Sequence, residues 1–152
     1  MTKIDIKEAL LKQCGLWAND KYERLQKVQL DIKESLLSET KSSSGDKHET
    51  GRARLQIERE NIGKQLHEAQ KLQELLHRID VKTTSGLVHL GSLVSTHQAN
   101  YFMSVSIGAL SLDNEVFLAV SPQSPIGNVL LGKKVGDAFS FNNEMHEIIS
   151  VD

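Results

Sequence analysis

The chain is poor in the residues that cross-link, break or anchor a fold. A single cysteine, Cys14, in 152 residues excludes an intrachain disulfide and fits a reducing compartment. From about Ile6 to Leu37 there is no proline and only one glycine, Gly15, so nothing in that stretch breaks a helix. No run approaches the roughly 18 consecutive apolar residues of a membrane span. The opening MTKIDIKEALL alternates charge with apolar residues where a signal peptide would have a continuous apolar core. These absences lead us to expect a soluble, cytoplasmic protein with no membrane partner. The formal charge of -2 excludes a polycation that holds nucleic acid by bulk charge. Gly127, Gly132 and Gly136 match no phosphate-loop or dinucleotide pattern, and the histidines lack zinc spacing with paired cysteines.

Charge is instead distributed unevenly. Residues 1–80 hold 15 Lys+Arg and 14 Asp+Glu, against 3 and 6 in the remainder. Most aromatics (Tyr101, Phe102, Phe117, Phe139, Phe141) lie on the other side of that divide, with only Trp17 and Tyr22 before it. This composition boundary near Asp80 predicts two domains, 1–80 and 81–152. In the first, Leu11, Cys14, Ala18, Leu25, Ile32 and Leu36 recur at steps that sum to three, four or seven. A second seam reads Leu55, Ile62, Leu66, Ala69, Leu72, Leu76 and Ile79. Charged flanks and a short polar connection predict an antiparallel coiled-coil hairpin, each helix covering the stripe of the other. About 30 residues per helix at ~1.5 Å each gives a rod of roughly 45 Å.

The second half changes period. Leu87–Val94, Tyr101–Ile107, Glu115–Val120, Phe139–Phe141 and Met145–Val151 read as strands, the last two joined by a tight turn at Asn142-Asn143. Between them 124-SPIGNVLLG-132 predicts one short helix, with Ser124 as N-cap, Pro125 in the first position and Gly132 just past the end. Strands in series with one helix predict an α+β domain, an antiparallel sheet with a helix on one face.

The connection 41-KSSSGDKHETGR-52 carries the chain's most suggestive chemistry. Local physics makes Asp46 an N-cap and Glu49, three residues on, the partner in a capping box, with Gly45 in a left-handed turn position. The same spacing puts two carboxylates on one helix face with Cβ atoms roughly 5–6 Å apart. Such a pair can share a hard cation such as Mg²⁺, whose octahedral shell two carboxylates cannot complete alone, so further ligands would come from another macromolecule.

The tip 45-GDKHE-49 resembles the Gly-Asp-x-x-Glu tip of the Gre-type transcript cleavage factors of bacterial RNA polymerase, GreA and GreB. The run 116-VFLAVSPQSPIGNVLLGKKVGDAFSFNNEMHEIISVD-152 is similar to their C-terminal domain, and 87-LVHLGSLVS-95 resembles that domain's first strand. The resemblance implies a coiled-coil hairpin on an FKBP-like C-terminal domain that grips the rim of the polymerase's secondary channel while the hairpin enters it. It implies that Asp46 and Glu49 help hold a second Mg²⁺ at the polymerase active site, with none bound tightly by the factor alone. The reaction implied is hydrolysis near the 3′ end of nascent RNA in a backtracked complex, with the factor an accessory rather than an enzyme in its own right. Ser124, Pro125 and Ile126 match the turn that touches polymerase, and Lys47, Arg52 and Arg54 are the RNA-contact candidates, with Arg59 and Lys64 further along the same helix.

Two departures bear on activity. The family continues with Asn-Ala-Glu-Tyr, where this chain has Thr50-Gly51-Arg52-Ala53, and Gln123 stands where some members have an acidic residue. Three readings follow: a factor that stimulates RNA cleavage, a secondary-channel regulator without cleavage, and an interaction scaffold for another partner.

Overall fold

Helix α1 spans Lys3–Lys41 in the computed structural model, which describes residues 1–41 and 45–152 and the side chains of 1–39 and 50–152. It starts earlier than the apolar pattern suggests because Thr2 and Asp5 cap it reciprocally. The Asp5 N–H donates to Thr2 Oγ1 at 3.1 Å, and the Thr2 N–H donates to the Asp5 carboxylate at 3.0 Å. The backbone bond first, then the hydroxyl, hold the Asp5 carboxyl below its ordinary value. Helix α2 spans Gly45–Arg78. The chain leaves it through Asp80, whose carboxylate accepts from the Thr83 hydroxyl and the Lys82 N–H, an Asx-type turn that lowers the Asp80 pKa.

Packing divides the chain into two compact units, Trp17–Glu74 and Met1–Leu16 with Leu75–Asp152. The composition boundary near Asp80 marks the end of the helices, whereas the sheet unit also takes in the first turns of α1 and the last turn of α2.

Unit Trp17–Glu74 is a pair of antiparallel helical segments. The Gln73 side-chain amide donates to Asn19 Oδ1 at 3.0 Å near one end, and near the other Gly51 lies opposite the Glu39 carboxylate. Ala18, Ile32, Leu36, Leu66 and Ala69 are buried, with Leu25, Leu55, Ile62 and Leu72 half-buried beside them. The narrow seam expected from the 3–4 spacing is therefore present. The flanking ion pairs Arg24–Asp20 and Lys71–Glu68 are solvent-exposed and contribute little to stability.

The other unit holds a six-stranded sheet in the order β3-β4-β2-β1-β6-β5. Its strands are β1 Leu93–Thr96, β2 Asn100–Met103, β3 Gly108–Leu112, β4 Glu115–Val120, β5 Ala138–Phe141 and β6 Glu144–Val151, and a short helix α3 covers Pro125–Leu130. The α+β class is as expected, with one departure: β2 and β4 run parallel while every other pair is antiparallel. Strand β3, not foreseen from the pattern, makes this possible. It runs along the outer edge and turns back at Asp113-Asn114, both at positive φ, to lay β4 against β2. The same two-residue turn geometry at Asn142-Asn143 closes the β5–β6 hairpin.

Leu87–Val94 is not a continuous strand, since only Leu93 and Val94 pair. Gly91 interrupts it at φ 96°, and a Cβ there would lie 3.1 Å from Ile79 Cγ2 and 3.2 Å from the Asp80 carbonyl. The run Tyr101–Ile107 likewise pairs only as far as Met103, and the Ser104 N–H, donating to the Val120 carbonyl, makes the last bond of the parallel pairing with β4.

Strand alternation sends Val94, Tyr101, Met103, Val120 and Ile148 to one face, where they form a core with Val88, Leu130 and Phe139 under α3. Leu93, Phe102, Phe117 and Ala119 are buried on the opposite face. The start of α1 covers that second face. Cys14 Sγ lies 3.8 Å from Ser104 Oγ, and the Gln13 amide donates to the Ser111 carbonyl at 3.0 Å. Lys7, Leu10 and Cys14, at steps of three and four, form the buried stripe. Lys7 is 1% exposed, and its Nζ has no hydrogen-bond partner. Burial lowers its pKa, opposed by the charges of Asp152 and Asp80.

A folded-state value below 10.5 means that the unfolded chain binds more protons between the two values. Stability therefore rises with pH across that window, and the penalty is complete below it. Lys7→Met, of similar length, should stabilise the protein at neutral pH by about 1–3 kcal/mol and abolish this alkaline gain. Urea denaturation of both proteins at pH 7 and at pH near 10 checks both effects. An unchanged or lower midpoint for the variant at neutral pH would count against an uncompensated ammonium.

Candidate functional site

Helix α1 ends at Lys41 and α2 begins at Gly45, so Asp46 and Glu49 fall in the first turns of α2. The helix bounds put Asp46 one position inside, where the N-cap expectation has it as the flanking residue. The Asp46 and Glu49 side chains, with those of Lys47 and His48, lie outside the described residues. Among the described residues no three His, Cys, Asp or Glu side chains gather to hold a metal.

The described neighbours begin at Thr50. Gly51 is interior to α2 and half-buried, and a Cβ on it would meet the Glu39 carboxylate at 3.4 Å, an ordinary contact. Arg52 and Arg54 are both exposed. Two positions apart on a helix, they do not share a face. Arg52 instead lines up with Gln56 and Arg59 at steps of four and three, so the RNA-contact candidates divide between two sides of α2.

In the sheet unit, Ser124 caps α3 as the sequence predicts. Its backbone is extended (φ -70°, ψ 158°), and its Oγ accepts from the Gly127 N–H at 3.1 Å and donates to the Ser121 carbonyl at 2.6 Å. Pro125 occupies the first turn and is exposed, whereas Ile126 is half-buried against the core. Gln123 is exposed, and its side-chain oxygen accepts from the Ser121 hydroxyl at 2.6 Å. The Ser124 hydroxyl is thus committed to the fold, and Pro125 is the residue of the three most open to a partner. Gly132, at φ 81°, follows the helix end as expected.

Sequence reasoning set Gly127 aside as no part of a phosphate loop and missed its structural role. A Cβ at Gly127 would stand 1.8 Å from the Ser121 carbonyl oxygen and 2.9 Å from Ser124 Oγ. Only glycine lets the first turn of α3 close onto Ser121, so Ser121, Ser124 and Gly127 act as one capped turn. The three-residue steps of Ser121-x-x-Ser124-x-x-Gly127 are the signal that was available.

No family model matches the chain, and no curated protein matches it. Among solved structures, the chain is similar to that of the transcription factor Gfh1, with 20% identity over 86% of this chain and 92% of the other and a TM-score of 0.34. The fold described above stands on the chain's own packing.

Two glycine substitutions should behave oppositely. Gly127→Ala drives a methyl group into a backbone oxygen and should cost at least about 1–3 kcal/mol, the range for overpacking a rigid site. Gly51→Ala meets only ordinary contact and should stabilise α2 by roughly 0.5–1 kcal/mol. Thermal melts of the two variants alongside wild type check the pair. A neutral Gly127→Ala would contradict the closed turn.

Proposed function

We propose that the chain is a transcription elongation factor that enters the secondary channel of a bacterial RNA polymerase and stimulates the polymerase's own cleavage of backtracked RNA. The observation that carries this reading is one chain holding both parts: a long antiparallel helical pair with Gly45-Asp46-x-x-Glu49 opening its second helix, and a sheet unit with the Ser124-capped helix and the Asn142-Asn143 hairpin. In this reading Asp46 and Glu49 lend their carboxylates to a Mg²⁺ whose remaining ligands belong to the polymerase. The donor set suits that ion, since carboxylate oxygens are the ligands a hard cation takes and two of them leave most of an octahedron for others. When bound, the ion supplies an activated water and stabilises charge at the scissile phosphorus. Water adds at that phosphorus and the 3′ oxygen of the upstream RNA leaves, restoring an end that can be extended. The factor alone is then not an enzyme.

The other candidates take supporting roles. Lys47, Arg52 and Arg54 bring cations near the RNA, from two faces of α2 rather than one patch. Pro125 and the side of Ile126 meet the polymerase, with Ser124 holding their shape. A second reading, occupancy of the same channel without cleavage, is favoured by Gly51. It puts a helix-weakening residue two positions after Glu49, where the resembling family has none.

An assay on backtracked complexes of the cognate polymerase separates the readings. Wild type should accelerate Mg²⁺-dependent shortening of the RNA. Asp46→Ala/Glu49→Ala should lose that stimulation by more than the roughly 10–100-fold that removing a metal ligand's supporting partner costs. Slowed RNA synthesis without shortening would establish the second reading instead, and no effect of either kind would sink both.

A further inference from the structure

The seam of unit Trp17–Glu74 is interrupted midway. Leu25 and Ile32 bracket Gln29 on α1 at steps of four and three, with Val28 beside it 42% exposed, and Leu55 and Ile62 bracket Arg59 on α2 at the same steps. A continuous seam would bury an apolar side chain between each bracketing pair, yet Val28, Gln29 and Arg59 are all exposed. A cleft of about 460 Å³ opens there, lined by Gln26, Gln29, Leu30, Lys33 and Arg59. A second, of about 410 Å³, shares Gln29 and Arg59 and reaches Gly63, where a Cβ would meet nothing within 4 Å.

The charges in the first cleft are unspent. Arg24 and Lys71 elsewhere on the pair have carboxylate partners, but among the described residues neither Lys33 nor Arg59 is in an ion pair. Among the described residues no acidic side chain lines that cleft, and Glu60 borders only the second. Gln26 and Gln29 add primary amides, which donate and accept, and Leu30, 55% exposed, adds an apolar surface.

We infer that this cleft binds a small organic phosphate of mononucleotide size. The guanidinium fork of Arg59 matches a phosphate in geometry and Lys33 adds a point charge. The glutamine amides suit phosphate oxygens or sugar hydroxyls, and Leu30 offers a flat ring an apolar contact. The volume lies within the roughly 300–1,000 Å³ of small-molecule sites. Two cations suit a short chain of one to three phosphate groups, not the ~6–10 phosphates engaged by a typical nucleic-acid track. The polar interruption also costs seam packing, which is what a site kept for binding does to a scaffold.

The test uses the full chain without polymerase, so it stands or falls apart from the cleavage reading. Calorimetric titration at low salt with ATP should show saturable binding, with inorganic phosphate as the arm that measures the anion alone. Arg59→Gln and Lys33→Gln should each weaken ATP binding by on the order of tenfold or more, with helicity by circular dichroism unchanged because both side chains are exposed. Gln29→Leu/Arg59→Leu should abolish binding while raising Tm, which separates lost function from lost folding. Absence of saturable ATP binding at millimolar concentration, binding indifferent to both charge variants, or binding of a single-stranded RNA oligonucleotide where ATP fails would each overturn the inference.

Discussion

Strand β2 is buried from both sides, and the sheet unit is arranged around that fact. Tyr101 and Met103 point into the core under α3, while Phe102, fully buried, points the other way. Complete burial of a side chain of that size contributes about 1.5–3 kcal/mol, so leaving the second face open would forfeit several times that over Leu93, Phe102, Phe117 and Ala119. Two covers are required, and the chain draws them from distant places: α3 from within the second half, and the stripe Lys7–Leu10–Cys14 from its first turns. This is why the unit is discontinuous in sequence. It also explains a buried lysine, because a helix that presents Leu10 and Cys14 to the sheet must present position 7 as well.

What was legible in the sequence was local. Ser124-Pro125 through Gly132 announces a capped short helix, and Asn142-Asn143 announces a two-residue hairpin, because each turn needs its residue types whatever packs around it. The α+β class followed from the change of period. Strand β3 was missed although Asp113-Asn114 carries the same turn signal. Its only alternation is Leu110-Ser111-Leu112, too brief beside the compact apolar run by which β4 was found. The false extension of β1 back to Leu87 came from an apolar stretch whose Val88 bonds to Gly132 and Lys133 instead of joining β1's ladders. The second cover was invisible because Lys7 on an apolar stripe reads as its edge. The parallel β2–β4 pair depends on β3 and was lost with it.

The helical pair was legible in a different way. Its seam follows from spacing alone, and most of the positions read from it are buried or half-buried. Its interruption was not legible, because an exposed glutamine on one helix and an exposed arginine on the other mean nothing until the register sets them side by side. The candidate tip residues came from a motif match and from the rules of helix starts, while the steric demand at Gly127 needed coordinates.

The start of α2 is also where two carboxylates are easiest to carry. Like charges three positions apart repel by about 0.2–0.5 kcal/mol on an exposed helix. At a helix N-terminus the macrodipole returns roughly 0.3–1 kcal/mol for each negative charge, so Asp46 and Glu49 are tolerated as a pair there. At a helix C-terminus both effects would oppose them. In the proposed reading, a cation arriving with ligands from elsewhere would also offset that mutual repulsion. The electrostatics that favour these residues at a helix start would, in that reading, also suit them as lent ligands.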